Sequence, residues 1–359
     1  MNTIRHFHNN QDTACAVYYG DDVQLDLQTW LDEQSYERLF LLADENTVKY
    51  CYPIIEPIIR ASGKSHVIVV PSGEEEKILT TSEKIWAELI KQHAGRHDLF
   101  IAIGGGTITD LGGFVASLYK RGMSCIYIPT TLLAQVDASL GGKTGVDFDG
   151  FKNMIGSFTL PQAVFIYPQF LDTLDKAQWL SGYAEMIKHG LIADKSYWHQ
   201  LMQSGVTCLK KHIERSVSIK MDIVQNDPYE KGGRKMLNFG HTVGHAIESL
   251  MLEPGRTPVL HGFAVAAGMI CETWISTSLV GLSEKETDEI ITALFAAFGK
   301  LNLIEEDMPR LLYYMKEDKK NDDAQIQMAL ITKLGQAVYG IKVEEQEITK
   351  AIRKYIAMI

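Results

Sequence analysis

Four short apolar runs in the first half of the chain restrict its fold more than any other feature. They are RLFLLAD (38–44), SHVIVVP (65–71), DLFIAIGGG (98–106) and CIYIPTT (125–131), and each closes on turn or polar residues. All four read as buried strands. Between them, TTSEKIWAELIKQHA (80–94) places Ile85, Trp86, Leu89 and Ile90 on one face at helical spacing. Strands alternating with helices predict βαβ units and a parallel sheet. Ligands of such sheets gather at the carboxyl ends of the strands, so the polar residues there carry most of the functional information.

After about residue 175 the pattern changes. Helical periodicity runs through 178–191, 208–226, 240–252, 261–281, 284–299 and 345–357, and a strand pair fits only near IQMALITKLGQAVYG (326–340). The stretches KMLNFGHTVGHAIESLM and VLHGFAVAAGMICETW are apolar enough to be buried helices. The expectation is an α/β Rossmann-like N-terminal domain over residues 1–170 and an all-α C-terminal domain over residues 171–359.

Charge and cysteine usage narrow the function classes. A formal net charge of -10 suits nucleic acid poorly, because phosphate-backbone binding needs clustered Lys and Arg. Anionic small molecules remain open to it, since local charge can oppose the average. The cysteines (Cys15, Cys51, Cys125, Cys208 and Cys271) are odd in number, widely spaced and without a CxxC pair. That argues against a disulfide framework or thiolate zinc site and for a reducing compartment. The first residues, MNTIRHFHNNQDTACAV, lack a signal-peptide core. No apolar run approaches the roughly 20 residues that span a bilayer. A cytoplasmic protein, with no membrane and no nucleic-acid partner, is expected.

Two motifs stand out. IAIGGGTITDLGGF sets Gly104, Gly105 and Gly106 after an apolar strand and before a helix. Backbone N–H groups there can approach a ligand phosphate beside the positive end of the helix; a plain strand-to-helix turn needs the same glycines. Asp44 and Asn46 close an earlier strand, where an acid can accept ribose hydroxyls or simply cap a helix. The second motif, LNFGHTVGHAIE (237–248), spaces His241 and His245 one helical turn apart. A metal that polarises a hydroxyl needs a few N or O ligands and open positions, for which Glu185, His189, His241, His245 and His261 are candidates. Spacing alone pairs His241 with His245, yet Thr242 stands where a zincin carries its glutamate.

Five blocks carry a more specific signal: GGGTITDLGGFVASLYKRG, IPTTLLAQVDASLGGKTGVDFDGFKNMIGSF, SGYAEMIKHGLI, DPYEKGGRKMLNFGHTVGHAIE and LHGFAVAAGM. In this order, from about residue 70 to residue 320, the chain closely resembles the 3-dehydroquinate synthases. The resemblance implies a Rossmann-type domain followed by a helical metal-binding domain, a fold shared with iron-dependent alcohol and glycerol dehydrogenases. It implies a phosphate-eliminating cyclase acting on 3-deoxy-D-arabino-heptulosonate 7-phosphate, an anionic sugar acid. It also implies catalytic NAD, a zinc or cobalt ion and a homodimer.

Residue by residue, the resemblance divides the histidines: Glu185, His241 and His261 match metal ligands, and His245 matches a phosphate contact. Lys143, Asn153 and Asn238 match further phosphate-side contacts, together with Lys319 or Lys320 of KEDKK. Arg234 suits the substrate carboxylate, with Lys220, because its planar fork makes two parallel bonds. Lys152 and Lys188 join the substrate set; Asp137 and Glu230 match acids near its hydroxyls. Arg121 of YKRG matches an arginine that reaches a neighbouring subunit's site. For NAD the matches are Gly73, Glu74 and Lys77 of SGEEEK, then Gly105, Gly106, Thr107 and Asp110, then Thr130 and Thr131 of IPTT. Asp44 and Asn46 take the adenosine ribose, Phe170 and Thr173 of FLDTL close over the cofactor, and Lys143 and Lys152 serve cofactor and substrate alike.

One departure stands out. The family usually reads HGEAV after its second metal histidine, and Phe263 replaces that glutamate here; loss of a carboxylate that supports a ligand weakens metal binding. Three rival functions compete. Cyclases of antibiotic biosynthesis use the same chemistry on substrates lacking the carboxylate, an alcohol or glycerol dehydrogenase would not need the phosphate and carboxylate set, and a catalytically dead sugar-phosphate sensor would not need intact ligands.

Overall fold

The computed structural model describes residues 3–8, 14–205, 210–317 and 325–359. The chain divides into two compact units, Met1–Asp175 and Lys176–Ile359. The expected boundary at 170 falls inside the first unit, because the Phe170 ring belongs to that unit's core and packs edge-on against Tyr167.

The first unit is built on a seven-stranded sheet. Its strands are β1 (Thr3–His8), β2 (Ala14–Tyr19), β3 (Arg38–Asp44), β4 (Lys64–Val70), β5 (Leu99–Gly104), β6 (Ser124–Pro129) and, later in the chain, β9 (Ala163–Ile166). A separate antiparallel hairpin intervenes, β7 (Lys143–Phe148) with β8 (Phe151–Phe158). The order is β1-β2-β9-β6-β5-β3-β4, with every pairing parallel except β1–β2. The four apolar runs thus become four adjacent strands. Three of them are buried nearly end to end, as parallel strands covered on both faces must be. β4 departs from the expectation: it is the edge strand, and Val69 is half exposed. Helices α1 (Val23–Asp32), α2 (Glu45–Tyr50), α3 (Tyr52–Ala61), α4 (Leu79–Lys91) and α5 (Gly106–Leu118) connect the strands. In α4 the buried apolar residues are Ile85 and Leu89, whereas Ile90 points to solvent.

The chain runs from β3 outward to β4 and then crosses back to β5 on the other side of β3, so the direction of winding reverses there. This is the topological switch point of a doubly wound sheet, the place where its strand ends open a crevice. Asp44 ends β3 and Gly105–Gly106 follow β5 at that crevice.

The second unit contains helices α6 (Lys176–Ala193), α7 (Lys195–Ser204), α8 (Ile213–Asn226), α9 (His241–Met251), α10 (His261–Val280), α11 (Glu284–Phe298), α12 (Met308–Glu317) and α13 (Glu345–Ala357). It is not purely α: β10 (Ile326–Lys333) and β11 (Gln336–Val343) form an antiparallel hairpin where the strand pair was expected. α10 is apolar all round and packs against α6, α9, α11 and α13. By length and composition alone it could cross a membrane, but 67% of its most apolar window is buried inside the structure. An all-round apolar helix is what the centre of a helical layer requires. Where α9 meets α10 the backbones are nearly in contact: a Cβ on Gly268 would stand 2.0 Å from the Gly240 carbonyl oxygen.

Candidate active site

In the first unit, Glu74, Lys77, Thr107 and Asp110, all expected to serve a nucleotide, meet in the first turns of α5 beside the Gly105–Gly106 turn. Gly105 is the N-cap and Gly106 the first helical residue. A Cβ on Gly105 would meet Thr131 Cγ2 at 3.0 Å, and one on Gly106 would meet Ala138 Cβ at 3.3 Å. Glycine therefore leaves a cradle that any side chain would crowd, beside the unsatisfied N–H groups of a helix start. Thr130 N–H donates to Gly104 O at 2.9 Å and fixes the β6 end against the loop. Asp44 caps α2 by accepting from Thr47 N–H at 2.8 Å, and Asn46 is exposed beside it. Phe170 keeps its ring in the core, and the exposed Thr173 donates to the Phe170 carbonyl at 3.4 Å.

A charged cluster adjoins this cradle. Lys77 is buried and reaches Asp110 at 2.7 Å and Glu74 at 3.7 Å. Burial opposes its charge, but Asp110, Glu74 and Asp147 outweigh it and keep the ammonium protonated well above the usual range. Thr107 donates to Glu74. Lys152, with 8% of its side chain exposed, bridges Glu74 at 2.8 Å and Asp147 at 3.0 Å. Glu74 is pulled down to about 2: burial raises it, and Lys77 and Lys152 more than reverse that. Asp147 was not foreseen. It is the last but one residue of β7, takes Lys152 on one oxygen and Asn153 N–H at 2.8 Å on the other, and donates its own N–H to Lys77 O at 2.7 Å. Asn153 sits at φ +51°, a conformation Asn adopts more readily than most residues. Lys143 opens β7 and is exposed, Asp137 is half-buried in the π-helical segment Ala134–Ala138 after β6, and Arg121 is exposed at φ +69° after α5.

In the second unit, three helices bring Glu185, His241 and His261 together, with one potential ligand atom of each within 4.8 Å of the others. Glu185 lies on α6, fully buried; His241 and His261 are the first residues of α9 and α10. Glu185 Oε1 is 3.6 Å from His241 Nε2 and 3.3 Å from His261 Nε2. Each ring is held from its far side. His241 Nδ1 lies 3.1 Å from Phe239 O, and His261 Nδ1 lies 3.0 Å from Glu248 Oε2. A ring that donates through Nδ1 offers its Nε2 lone pair inward, which is how metal-binding histidines are usually oriented. The donor chemistry, one carboxylate and two imidazoles, therefore fits a divalent ion.

The charges around these rings differ. Burial and the Lys188 ammonium push His241 well below its ordinary range, so it stays neutral. Burial also works against charge on His261, but Glu248 and Glu185 prevail and raise it to about 10, so without an ion the ring carries a second proton that metal binding would displace. Lys188, one turn beyond Glu185 and likewise buried, forms an ion pair with it.

His245 keeps close to both rings, 5.2 Å from His241 and 6.1 Å from His261 between centroids. A second set of donor atoms, His245, Glu248 and His261, also lies within 4.8 Å. Its Glu248 already serves His261 Nδ1, which favours the set centred on Glu185. His189 is fully buried, with Nδ1 2.8 Å from Ser216 Oγ, in the packing of α6 against α8.

The loop DPYEKGGR is organised by Asp227, a second residue not singled out by sequence. Its carboxylate accepts from the N–H groups of Lys231 (2.9 Å), Gly232 (2.7 Å) and Arg234 (3.1 Å). Burial would raise this carboxyl, but the three N–H donors and the Arg234 charge hold it below its ordinary value. The loop delivers Arg234, almost fully buried and donating to Pro228 O, and Glu230, whose carboxylate accepts from Asn238 Nδ2 at 2.8 Å. Lys220 is buried on α8. Lys319 and Lys320 lie outside the described residues. Phe263, at the departure from the usual motif, packs edge-on against Phe298. The carboxylate at His261 Nδ1 is that of Glu248.

Known proteins resemble this chain over most of its length. Residues 67–181 match the model of the 3-dehydroquinate synthase N-terminal domain, and residues 182–321 that of the C-terminal domain. The chain is 40% identical over 339 residues to the 3-dehydroquinate synthase of Parabacteroides distasonis, covering 93% of this chain and 96% of that protein. It is 41% identical over 295 residues to that of Pyrococcus furiosus, covering 81% and 85%. Among solved structures, 2-deoxy-scyllo-inosose synthase complexed with carbaglucose-6-phosphate, NAD+ and Co2+ is similar with a TM-score of 0.86 at 24% identity, covering 98% of this chain and 99% of that one. An iron containing alcohol dehydrogenase gives 0.69 at 14% identity, covering 96% and 97%. These structures share the fold. With both domain models matched in succession and close relatives aligned over nearly its full length, the chain belongs to the 3-dehydroquinate synthase family.

Proposed function

We propose that the chain converts 3-deoxy-D-arabino-heptulosonate 7-phosphate to 3-dehydroquinate and phosphate, using NAD catalytically and a divalent zinc or cobalt ion. The observation that carries this reading is the donor set Glu185, His241 and His261, with the imidazoles oriented by Phe239 O and Glu248. These three residues would hold the ion, which would supply Lewis acidity toward substrate oxygens, and bound NAD would supply the hydride acceptor. The likeness to a cyclase solved with NAD+ and Co2+ supports the same pair of cofactors here.

The chain's own residues take the remaining tasks. The cradle at Gly105, Gly106 and Thr107, with Glu74, Lys77, Asp110, Thr130 and Thr131, holds NAD, and Asp44 and Asn46 take its adenosine ribose. Arg234, fixed by the Asp227 loop, presents its fork to the substrate carboxylate with Lys220. Lys143, Lys152, Asn153, Asn238 and His245, with Lys319 or Lys320, take the phosphate side. Lys188, Asp137 and Glu230 order the hydroxyls, and Arg121 extends to a partner subunit. Burying lysines beside carboxylates keeps them charged and in place before the anion arrives. A cytoplasmic homodimer is part of this reading; the free, buried cysteines at 15, 51, 125 and 271 suit a reducing compartment.

The test is a substrate panel with phosphate and NADH followed together. Purified protein with NAD and metal should release phosphate from the heptulosonate phosphate without accumulating NADH. Steady NADH production would indicate a dehydrogenase. Turnover of glucose 6-phosphate or sedoheptulose 7-phosphate, with none of the sugar acid, would select the antibiotic-type cyclases.

A further inference from the structure

α9 begins without a cap of its own. Gly240 occupies the N-cap position at φ +81° and has no side chain to accept the orphan N–H groups of the first turn. Nor can it be given one: a Cβ there would lie 2.4 Å from Met269 Cγ and 3.0 Å from Val265 O. The missing acceptor comes from the neighbouring helix. Glu272, fully buried on α10, accepts from Gly240 N–H at 2.6 Å and from Val243 N–H at 3.2 Å. Val243 is the third residue of the helix, the position an N-cap side chain would normally reach. A carboxylate on helix N–H groups makes charge-assisted bonds and meets the positive end of the helix dipole.

The location of this clasp gives it a use beyond the fold. His241 lies between the two bonded N–H groups in sequence, at the first position of α9. Glu272 lies about three turns beyond His261 on α10. One helix thus carries one ligand at its start and grips, further along, the backbone that carries the other. We infer that Glu272 is a positioning residue for His241, fixing where that imidazole stands relative to His261 and Glu185. This inference rests on the metal reading proposed above. Phe239 O orients the His241 ring; Glu272 fixes the backbone from which the ring projects.

The test is Co2+ titration of the metal-stripped full chain, wild type against Glu272→Gln, read by affinity and by the visible Co2+ absorption band. Glutamine keeps the volume and one acceptor oxygen but loses the charge and the second acceptor. The expected result is a dissociation constant raised roughly 10- to 100-fold, the range seen when partners of metal ligands are lost. The Co2+ band should also be altered, while the substituted chain still folds by circular dichroism. Glu272→Ala should show the same changes, enlarged. If wild type binds Co2+ and Glu272→Gln binds it with the same affinity and the same band, the positioning role is overturned and the metal site stands. A Glu272→Gln chain that fails to fold also overturns it, because the carboxylate would then serve the fold rather than the ligand. If wild type itself binds no Co2+, the metal reading fails first, and the comparison separates the two failures.

Discussion

His261 turns Nδ1 toward Glu248, 3.0 Å away, and Nε2 toward Glu185, 3.3 Å away. Glu248 thus holds the far side of the ring, and position 263, occupied by Phe where the usual motif has Glu, faces Phe298. Glu248→Gln should therefore lower metal affinity by roughly 10- to 100-fold, measured by competition with a chromogenic chelator. Phe263→Glu should restore nothing in that background, since Phe263 packs on Phe298. Unchanged metal affinity in Glu248→Gln would remove Glu248 from the site.

The two rings of α9 should separate by substitution. His241→Ala should leave the purified protein without stoichiometric metal. His245→Ala should retain metal by elemental analysis while raising KM for the phosphorylated substrate. Metal loss in His245→Ala would point instead to the His245, Glu248 and His261 donor set.

Asp147 ties Lys152 and Asn153 into one arrangement at the tip of the β7–β8 hairpin. Asp147→Asn should cost about 1 kcal/mol of ligand binding, a several-fold fall in kcat/KM, with metal content unchanged. Steady-state kinetics with parallel metal analysis checks this; an unaltered kcat/KM would mean the lysine is held adequately by Glu74 alone.

Asp227 gives a pH signature. Its carboxyl lies below its unfolded value because backbone N–H groups favour the charged form. The stability it supplies is therefore complete above the unfolded pKa of about 4 and is lost as pH falls through the lower folded value. Asp227→Asn should melt below wild type at neutral pH, with the difference narrowing under about pH 4. A difference in Tm that stays constant down to pH 3 would contradict the assignment.

Gly240→Ala combines a left-handed backbone with a clash against Met269 and Val265. It should destabilise the chain by at least about 2 kcal/mol, read from denaturant unfolding. A neutral effect would mean that α9 and α10 can part at this point.

Much of this was legible in the sequence, and the reasons differ by element. Parallel strands buried on both faces leave continuous apolar runs, so β3, β5 and β6 announce themselves. β4 has the same composition but lies at the edge, and nothing local distinguishes an edge strand from a central one. Ile90 fits the apolar face of α4 by spacing, yet that face is narrower than the spacing suggests. The glycine loop and the histidines could be found because their chemistry is unusual for a helix or strand end. Glu248, Asp147 and Asp227 were missed for a common reason. Each is an ordinary carboxylate in sequence and gains its role only from what tertiary packing sets against it. Glu248 is 13 positions from His261 and on another helix. The best available signal was its place at the end of LNFGHTVGHAIE, one turn beyond His245.

The contact between Gly268 and Gly240 has a mechanical consequence. With nothing larger than hydrogen separating two main chains at their crossing, there is no soft lining to compress or swell. A cation of smaller radius cannot be met by drawing the helices closer together. The difference must be taken up in the torsions of the two imidazole side chains, so the tolerance of this protein for smaller ions is set by how far those two rings can pivot.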